Sequence, residues 1–277
     1  MGDIAMTITP ITLGALHIYP VKSLGGIALN SSPCTARGLR YDRRFLVVDG
    51  NGKFFTQREL PKMATVWVDI EDGGEGMLTL AAPDLDSVIF PLQPSPAPTF
   101  KVTVWSSIVD AHEVSADADR FLSDYLGTAC RLVYMPDSAE RKVNPAFAPK
   151  GEIVSFADGY PFLLISEESL ADLNSRMTRP LPMNRFRPNL VVKGCAPYAE
   201  DTWKEIRIGT ASFRIVKPCM RCQITTTDQA TGDVLGPEPL QTLARYRNSP
   251  DGVMFGQNLL PVQLGSVGVG DAVEILR

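Results

Sequence analysis

The chain has 277 residues, of which 44% are hydrophobic and 21% charged, with a net charge of −4 at pH 7 and a pI of about 5.3. This composition fits a globular protein of one large domain or two modest ones, and it offers no broad basic surface for nucleic acid or anionic membranes. Any anionic ligand must therefore meet a local cluster of cations.

The N-terminus and the cysteines bear on the compartment. Residues 1–7 contain Asp3 and no Lys or Arg, so we expect no secretory signal, and Met6 occupies the position where myristoylation needs Ser or Thr. The sequence contains no run of about 18 apolar residues, so we expect no membrane span. The five cysteines are odd in number and mostly far apart, which argues against a disulfide framework. We expect a cytoplasmic protein with reduced thiols and without nucleic-acid or membrane partners.

The N-terminal half, up to about residue 135, predicts short strands separated by turns. The predicted strands are residues 11–19, 27–30, 44–49, 53–56, 65–70, 77–81, 88–92, 100–105 and 109–114. One helix follows them, with Ser115 as its N-cap and Gly127 as its stop. Strands at such short spacing indicate a β-barrel or sandwich. The proline-rich residues 93–98 predict a stiff surface loop.

The polar stretch at residues 136–151 contains Pro145, Pro149 and the charged run Glu140-Arg-Lys142, and it predicts a domain boundary. We divide the chain into residues 1–140 and 141–277. The second part predicts a helix capped by Ser166 that runs to about residue 177, a short helix at residues 238–246, and strands at residues 162–165, 190–193, 205–208, 212–217 and 269–276. The expected fold class is mixed and predominantly β (α+β), with a few helices.

The motif Cys219-Met-Arg-Cys222 contains the only close pair of cysteines. The charge of Arg221 favours a thiolate, which is a nucleophile or a ligand for a soft metal. A structural zinc site would need four ligands, yet the other cysteines are scattered and the chain has two histidines. A thioredoxin-type motif would open a helix, whereas the β-branched residues 223–227 predict a strand followed by a turn. From the motif alone, two small buried thiols are the simplest interpretation.

Several motifs nevertheless occur together in one order along the chain. They are Pro20-Val-Lys-Ser23, Gly38-Leu-Arg-Tyr-Asp-Arg-Arg-Phe45, Phe186-Arg-Pro-Asn189, Cys219-Met-Arg-Cys222, Phe255-Gly-Gln-Asn258 and Val269-Gly-Asp271. Over about residues 16–276 they resemble the MOSC proteins, the mitochondrial amidoxime reducing component family and its bacterial relatives. The resemblance implies an N-terminal MOSC β-barrel domain, residues 1–140, and a MOSC β-barrel domain, residues 141–277, that binds a molybdenum cofactor (Mo-molybdopterin).

The resemblance also implies the site residues. Cys222 would be the thiolate on molybdenum and the catalytic residue, whereas Cys219 has no such role. The positions that hold the phosphate and pterin of the cofactor correspond to Lys22, Ser23, Arg43, Asp158, Arg187 and Asn189. Such a cofactor needs cationic donors for its phosphate and a soft ligand for its metal, and the chain offers both. Gly159 and Tyr160 depart from the pattern, because amidoxime reducers have small hydroxyl residues there.

The activity implied by the resemblance is molybdenum-dependent removal of oxygen from N-hydroxylated compounds such as amidoximes. The chain has no set of four cysteines suited to an iron–sulfur centre, so electrons would come from a separate flavin, haem or iron–sulfur protein. Two alternatives remain open. One is a cofactor-binding or carrier module like the MOSC domain that ends the molybdenum cofactor sulfurases, and the other is a cofactor-free dithiol protein that uses Cys219 and Cys222.

Overall fold

The N-terminal half of the chain consists mostly of strands. The computed structural model describes residues 10–71, 73, 76–94 and 99–277. The strands of this half are β1 (Thr12–Ile18), β2 (Ile27–Leu29), β3 (Ser31–Thr35), β4 (Gly38–Leu39), β5 (Phe45–Val48), β6 (Trp67–Glu71), β7 (Met77–Ala82), β8 (Leu85–Pro91), β9 (Thr99–Val104), β10 (Ser107–Glu113) and β11 (Arg131–Tyr134). One α-helix, α1 (Ala116–Leu126), and a 3-10 helix at Pro61–Thr65 interrupt them.

The C-terminal half continues the same pattern with two more helices. Its strands are β12 (Phe162–Ser166), β13 (Leu190–Lys193), β14 (Glu205–Ile208), β15 (Ala211–Met220), β16 (Asn248–Ser249), β17 (Gly252–Gln263), β18 (Ser266–Gly268) and β19 (Val273–Ile275). The helices are α2 (Glu167–Ser175) and α3 (Leu240–Ala244), with 3-10 helices at Met183–Arg185, Ala199–Asp201 and Gln223–Thr226. The predicted class, predominantly β with a few helices, is confirmed. Among the described residues, no helix has the length and apolar character needed to cross a membrane.

The largest sheet joins strands from both halves. Its order is β19-β14-β15-β17-β12-β13-β1-β2, and β16 pairs with β17. β1 runs antiparallel to β13, with Leu16 opposite Leu190, whereas β12 and β13 are parallel. Three smaller sheets have the orders β5-β11-β10-β9, β18-β3-β4 and β6-β7-β8. The first strand of the chain is therefore hydrogen-bonded into the sheet that carries the cysteine motif.

Two large apolar cores support these sheets. In the N-terminal half, Leu78 and Leu80 alternate inward from β7 and pack with Phe45 and one face of α1. In the C-terminal half, the rings of Phe162 and Phe213 meet at 5.0 Å between centroids in an edge-to-face arrangement. Each of these fully buried side chains contributes about 1.5–3 kcal/mol relative to exposure. The two cores hold the sheets in position, and with them the loops that follow the ends of the strands.

Both long helices begin at their predicted caps. The Ser115 hydroxyl accepts hydrogen bonds from the main-chain N–H groups of Asp117 and Ala118, and Gly127 ends α1 in the left-handed conformation at φ 71°. The Ser166 hydroxyl accepts from the N–H of Ser169 at the start of α2. A side-chain oxygen at each N-cap satisfies donors that have no partner within the helix. These predictions are confirmed.

Other predictions need correction. Residues 53–56 form no strand, because Lys53 pairs with Thr103 while Phe54 pairs with Val48, so the chain changes partner after a single bridge. The final strand is shorter than expected and preceded by a separate strand, β18. The longest strand, β17, was missed because its glycines and Pro261 interrupt the apolar pattern. Residues 1–9, with the expected absence of a signal, and residues 95–98 of the predicted loop lie outside the described residues.

The glycine of the motif Phe255-Gly-Gln-Asn258, Gly256, is required by its backbone conformation and its close neighbours. It lies in β17 at φ 80°, where an added Cβ would lie 2.6 Å from Ile165 Cγ1 and 2.9 Å from the carbonyl oxygen of Leu164. We expect Gly256→Ala to lower the free energy of unfolding by about 1–3 kcal/mol, measured by urea denaturation. Gly50→Ala is the control, because an added Cβ there meets nothing within 4 Å. Equal losses in the two variants would contradict this account.

Candidate functional site

A single pocket contains all seven residues predicted for the site. The pocket is open to solvent. The predicted residues that line it are Lys22, Ser23, Arg43, Asp158, Arg187, Asn189 and Cys222. They belong to the turn after β1, the segment before β5, the loops before β12 and β13, and the loop after β15. Folding thus brings distant segments of both halves to one place, although the chemical role of each residue remains a prediction.

The backbone of the pocket is strained at three of these seven residues. Ser23, Arg43 and Arg187 have φ values of 68°, 48° and 53°, in the left-handed region that side chains other than glycine rarely adopt. Each such residue costs about 1–3 kcal/mol and persists only where the surrounding structure holds it. Here a hydrogen bond from the N–H of Arg43 to the carbonyl of Tyr19, 2.9 Å long, is part of that support. Strain of this kind clusters at functional sites.

Lys22 and Asp158 form an ion pair in the pocket. The Lys22 ammonium is 2.5 Å from Asp158 Oδ1, and Lys22 is 6% exposed. Burial lowers the pKa of Lys22, and the neighbouring carboxylate opposes this effect. Desolvation works against ionisation of Asp158, but the positive charges of Lys22, Arg58 and Arg43 together hold the pKa of its carboxyl well below the usual range. Asp158 is therefore ionised at neutral pH, and its negative charge neutralises part of the positive charge of the neighbouring Lys and Arg side chains.

Arg43 is held in place by partners from both halves of the chain. Its Nη1 donates to both carboxylate oxygens of the buried Asp42, at 2.9 and 2.7 Å, and to Asn189 Oδ1 at 3.2 Å. Asn189 also donates from Nδ2 to the carbonyl of His17 at 3.1 Å, so it ties β1 to the pocket wall. Arg44 points away and pairs with Asp137 at 2.8 Å. The two neighbouring arginines therefore have different partners.

Arg187 carries a buried donor that no described residue satisfies. Its guanidinium packs on the Tyr19 ring at 4.1 Å, and its Nη1 donates to Gln229 Oε1 at 3.1 Å. Its Nη2 is buried and has no hydrogen-bond partner among the residues that the structure describes. Burial lowers the pKa of Arg187 to about 10, so the group stays cationic at neutral pH. An unpaired buried donor costs about 1–3 kcal/mol, more when charged, and this atom is therefore suited to an anionic acceptor.

The two cysteines of the motif have different cationic neighbours. Arg221 Nη1 lies 3.1 Å from Cys219 Sγ, and Arg221 Nη2 donates to the carbonyl of Phe186 at 2.7 Å. Cys222 Sγ is instead contacted by Arg58 Nη1, at 3.7 Å. Arg221, inside the motif, therefore contacts the sulfur of Cys219, whereas the sulfur of Cys222 is contacted by Arg58 from the N-terminal half.

The predicted strand at residues 223–227 was wrong. Residues Gln223–Thr226 form a 3-10 helix directly after Cys222. The hydroxyls of Thr225 and Thr226 donate to the carbonyls of Cys222 and Gln223, at 3.0 and 2.8 Å. These local hydroxyl bonds satisfy carbonyl groups without any strand pairing, so β-branched residues occur here in a helical turn.

Sequence reasoning missed Arg141, which shapes the pocket without lining it. Arg141 is 6% exposed and donates to the carbonyls of Ser155 at 3.1 Å, Asp158 at 2.8 Å and Ala157. It thereby holds the loop that presents the Asp158 side chain. In the sequence it is one residue of a charged run in the predicted boundary stretch, and no pattern there shows which charge is buried.

Fold and site together define a predominantly β protein with a pocket lined by buried cations and a thiol. Family models match both halves of the chain: the MOSC N-terminal beta barrel domain at residues 11–129 and the MOSC domain at residues 151–274. The chain therefore belongs to the MOSC proteins of the amidoxime-reducing component family. The predicted division after residue 140 falls between the two matches and stays a prediction.

Individual relatives agree with this assignment. The chain is 35% identical to "Mitochondrial amidoxime-reducing component 1" of Mus musculus over 96% of this chain and 82% of that protein. It is 34% identical to the protein of the same name from Homo sapiens, over 96% of this chain and 83% of that protein. A "Molybdenum cofactor sulfurase" of Oryza sativa subsp. japonica is 34% identical over 90% of this chain but only 32% of that protein.

Proposed function

We propose that this protein is a molybdenum cofactor-dependent reductase of N-hydroxylated compounds of the amidoxime type. The observation that carries the proposal is one pocket that combines the Cys222 thiol with the unpaired buried donor of Arg187. The relatives matched over most of their length are named for amidoxime reduction, which supports the substrate class. The carrier alternative is not favoured, because the sulfurase relative is matched over only 32% of its length.

The donor set fits such a cofactor. Lys22, Ser23 and Arg187 would bind its terminal phosphate, since cationic donors make the strongest hydrogen bonds to phosphate oxygens. Arg43, Asp158 and Asn189 would contact the pterin, and the Cys222 thiolate would be the soft ligand of the metal. The bound cofactor would supply the two-electron reduction, for which the balance is R–NHOH + 2 e⁻ + 2 H⁺ → R–NH₂ + H₂O. The protein's own contribution is to bind and orient, with a pocket whose arginines are already ordered by protein contacts.

The proposal also covers the electron donor and the cellular compartment. We assign the electrons to a separate redox protein, because five cysteines with only one close pair do not supply the four ligands of an iron–sulfur centre. All five cysteines are free thiols, which supports a reducing, cytoplasmic compartment.

The deciding test is the metal content. Protein produced in a host that makes the cofactor should contain stoichiometric molybdenum and little zinc by elemental mass spectrometry, and it should reduce benzamidoxime with reduced viologen as donor. Protein from a host unable to make the cofactor is the control and should have neither property. Absence of molybdenum, or stoichiometric zinc, would overturn the proposal. Protein loaded with molybdenum that reduces no N-hydroxylated compound would favour the carrier function.

A further inference from the structure

Arg58 connects the N-terminal half of the chain to the sulfur of Cys222. It lies between β5 and the 3-10 helix at Pro61–Thr65, is half-buried, and places Nη1 3.7 Å from Cys222 Sγ. The charge of Arg58 also acts on the Asp158 carboxyl, whose pKa it helps to lower. The atom of the cysteine motif that Arg58 contacts is Cys222 Sγ, the sulfur that would be the thiolate ligand in the function proposed above.

An aromatic residue fixes the position of this guanidinium. Arg58 stacks on the Trp105 ring at 4.7 Å, and Trp105 packs edge-on against Phe54 at 5.2 Å. The indole Nε1 also donates to Asp158 Oδ1 at 3.3 Å. Trp105 itself forms the turn between β9 and β10 at φ 55°, a conformation in which tight hairpins usually have glycine or asparagine. This turn therefore bears strain of about 1–3 kcal/mol while it holds the indole beside the pocket.

The other arginine near the motif is not equivalent. Arg221 directs its donors to Cys219 Sγ and to the main chain of Phe186. Arg58 is thus the arginine that contacts Cys222.

We propose that Arg58, held by Trp105, is a positioning residue for the Cys222 thiolate and tunes the metal that this thiolate would bind. The proposal rests on the function proposed above. A donor and a positive charge at a ligating sulfur reduce its electron donation to the metal, and they stabilise the more electron-rich, reduced state. Arg58 therefore raises the reduction potential of the bound metal and helps to retain it.

The test compares Arg58→Ala and Arg58→Lys with the wild-type holoprotein. Two quantities are measured: molybdenum per chain after extended dialysis, and the midpoint potential of the metal by redox titration followed by electron paramagnetic resonance. Loss of a group that orients a metal ligand typically costs about 10- to 100-fold in affinity or activity. We expect Arg58→Ala to retain molybdenum at least about tenfold more weakly and to shift the potential to more negative values, with Arg58→Lys closer to wild type.

Arg120→Ala is the matched control, because it removes the same charge from an exposed position on α1. It should leave both quantities unchanged. An unchanged potential and metal content in Arg58→Ala, with metal lost from Cys222→Ser, would overturn the role of Arg58 and leave the proposed function intact. Full metal content in Cys222→Ser would overturn the proposed function itself. If Arg58→Ala does not fold, the potential of Arg58→Lys decides, because losing the stacked planar donor should still lower it.

Discussion

Replacement of Cys222 by serine should abolish amidoxime reduction, whereas Cys219→Ser should keep most of it. A serine hydroxyl is a hard, protonated ligand, so it cannot replace a thiolate on a soft metal. We expect a loss of at least about 1,000-fold in turnover for Cys222→Ser, which corresponds to about 4 kcal/mol in the barrier. For Cys219→Ser we expect a change within a factor of about 5, or about 1 kcal/mol.

The two sulfurs make this a well-matched pair of variants, because they lie three residues apart in one pocket. Serine at position 219 retains an oxygen that can accept from Arg221, whose second donor stays bonded to the carbonyl of Phe186. The measurement is steady-state reduction of benzamidoxime, normalised to protein and accompanied by molybdenum analysis. Equal activity in the two variants would remove Cys222 from its proposed role and would reopen the dithiol alternative.

Much of the fold could be predicted because its signals are local. Ser115 and Gly127 mark the ends of α1 by capping chemistry that involves only neighbouring residues. β17 could not be predicted in this way. It contains Gly256 and Pro261, and what makes it a strand is its pairing with β12 and β15, which are distant in sequence. Long-range pairing overrides weak local preference, and a single sequence does not show it.

The candidate site, like the fold, has features that could be predicted from the sequence and features that depend on contacts between distant segments. The resemblance to the MOSC proteins implied seven site residues, and the structure brings all seven to one pocket, although their roles stay predictions. The cations that act on each sulfur could not be predicted: Arg221 is adjacent to Cys222 in sequence but contacts Cys219 in space. Arg58 contacts Cys222 across 164 positions of sequence, and only tertiary structure reveals such a pair. The resemblance thus predicts candidate ligands, while packing between distant segments decides which charges surround them.

Arg187→Ala should reduce cofactor occupancy far more than it reduces stability. Within the described part of the chain Arg187 Nη2 has no partner, so removing the side chain breaks few contacts there beyond the Tyr19 stacking and the Gln229 hydrogen bond. Truncating one member of a buried charge pair costs about 2 kcal/mol or more in binding, which is roughly 30-fold in affinity. We therefore expect a large fall in molybdenum per chain, with the free energy of unfolding of the cofactor-free protein lowered by about 1 kcal/mol or less.

Arg185→Ala is the matched control, since it removes an arginine two residues away whose two terminal nitrogens, Nη1 and Nη2, both have partners in the protein. Arg185 is 3% exposed, pairs with Asp228 at 2.6 Å and donates to the carbonyl of Thr226 at 3.0 Å. Breaking a buried pair of this kind costs about 3–5 kcal/mol, so urea denaturation of cofactor-free Arg185→Ala should show the larger loss. Cofactor-free protein is required, because a bound ligand adds its own stabilisation. Full molybdenum content in Arg187→Ala would mean that the phosphate binds elsewhere, because the unpaired donor would then have no part in holding it.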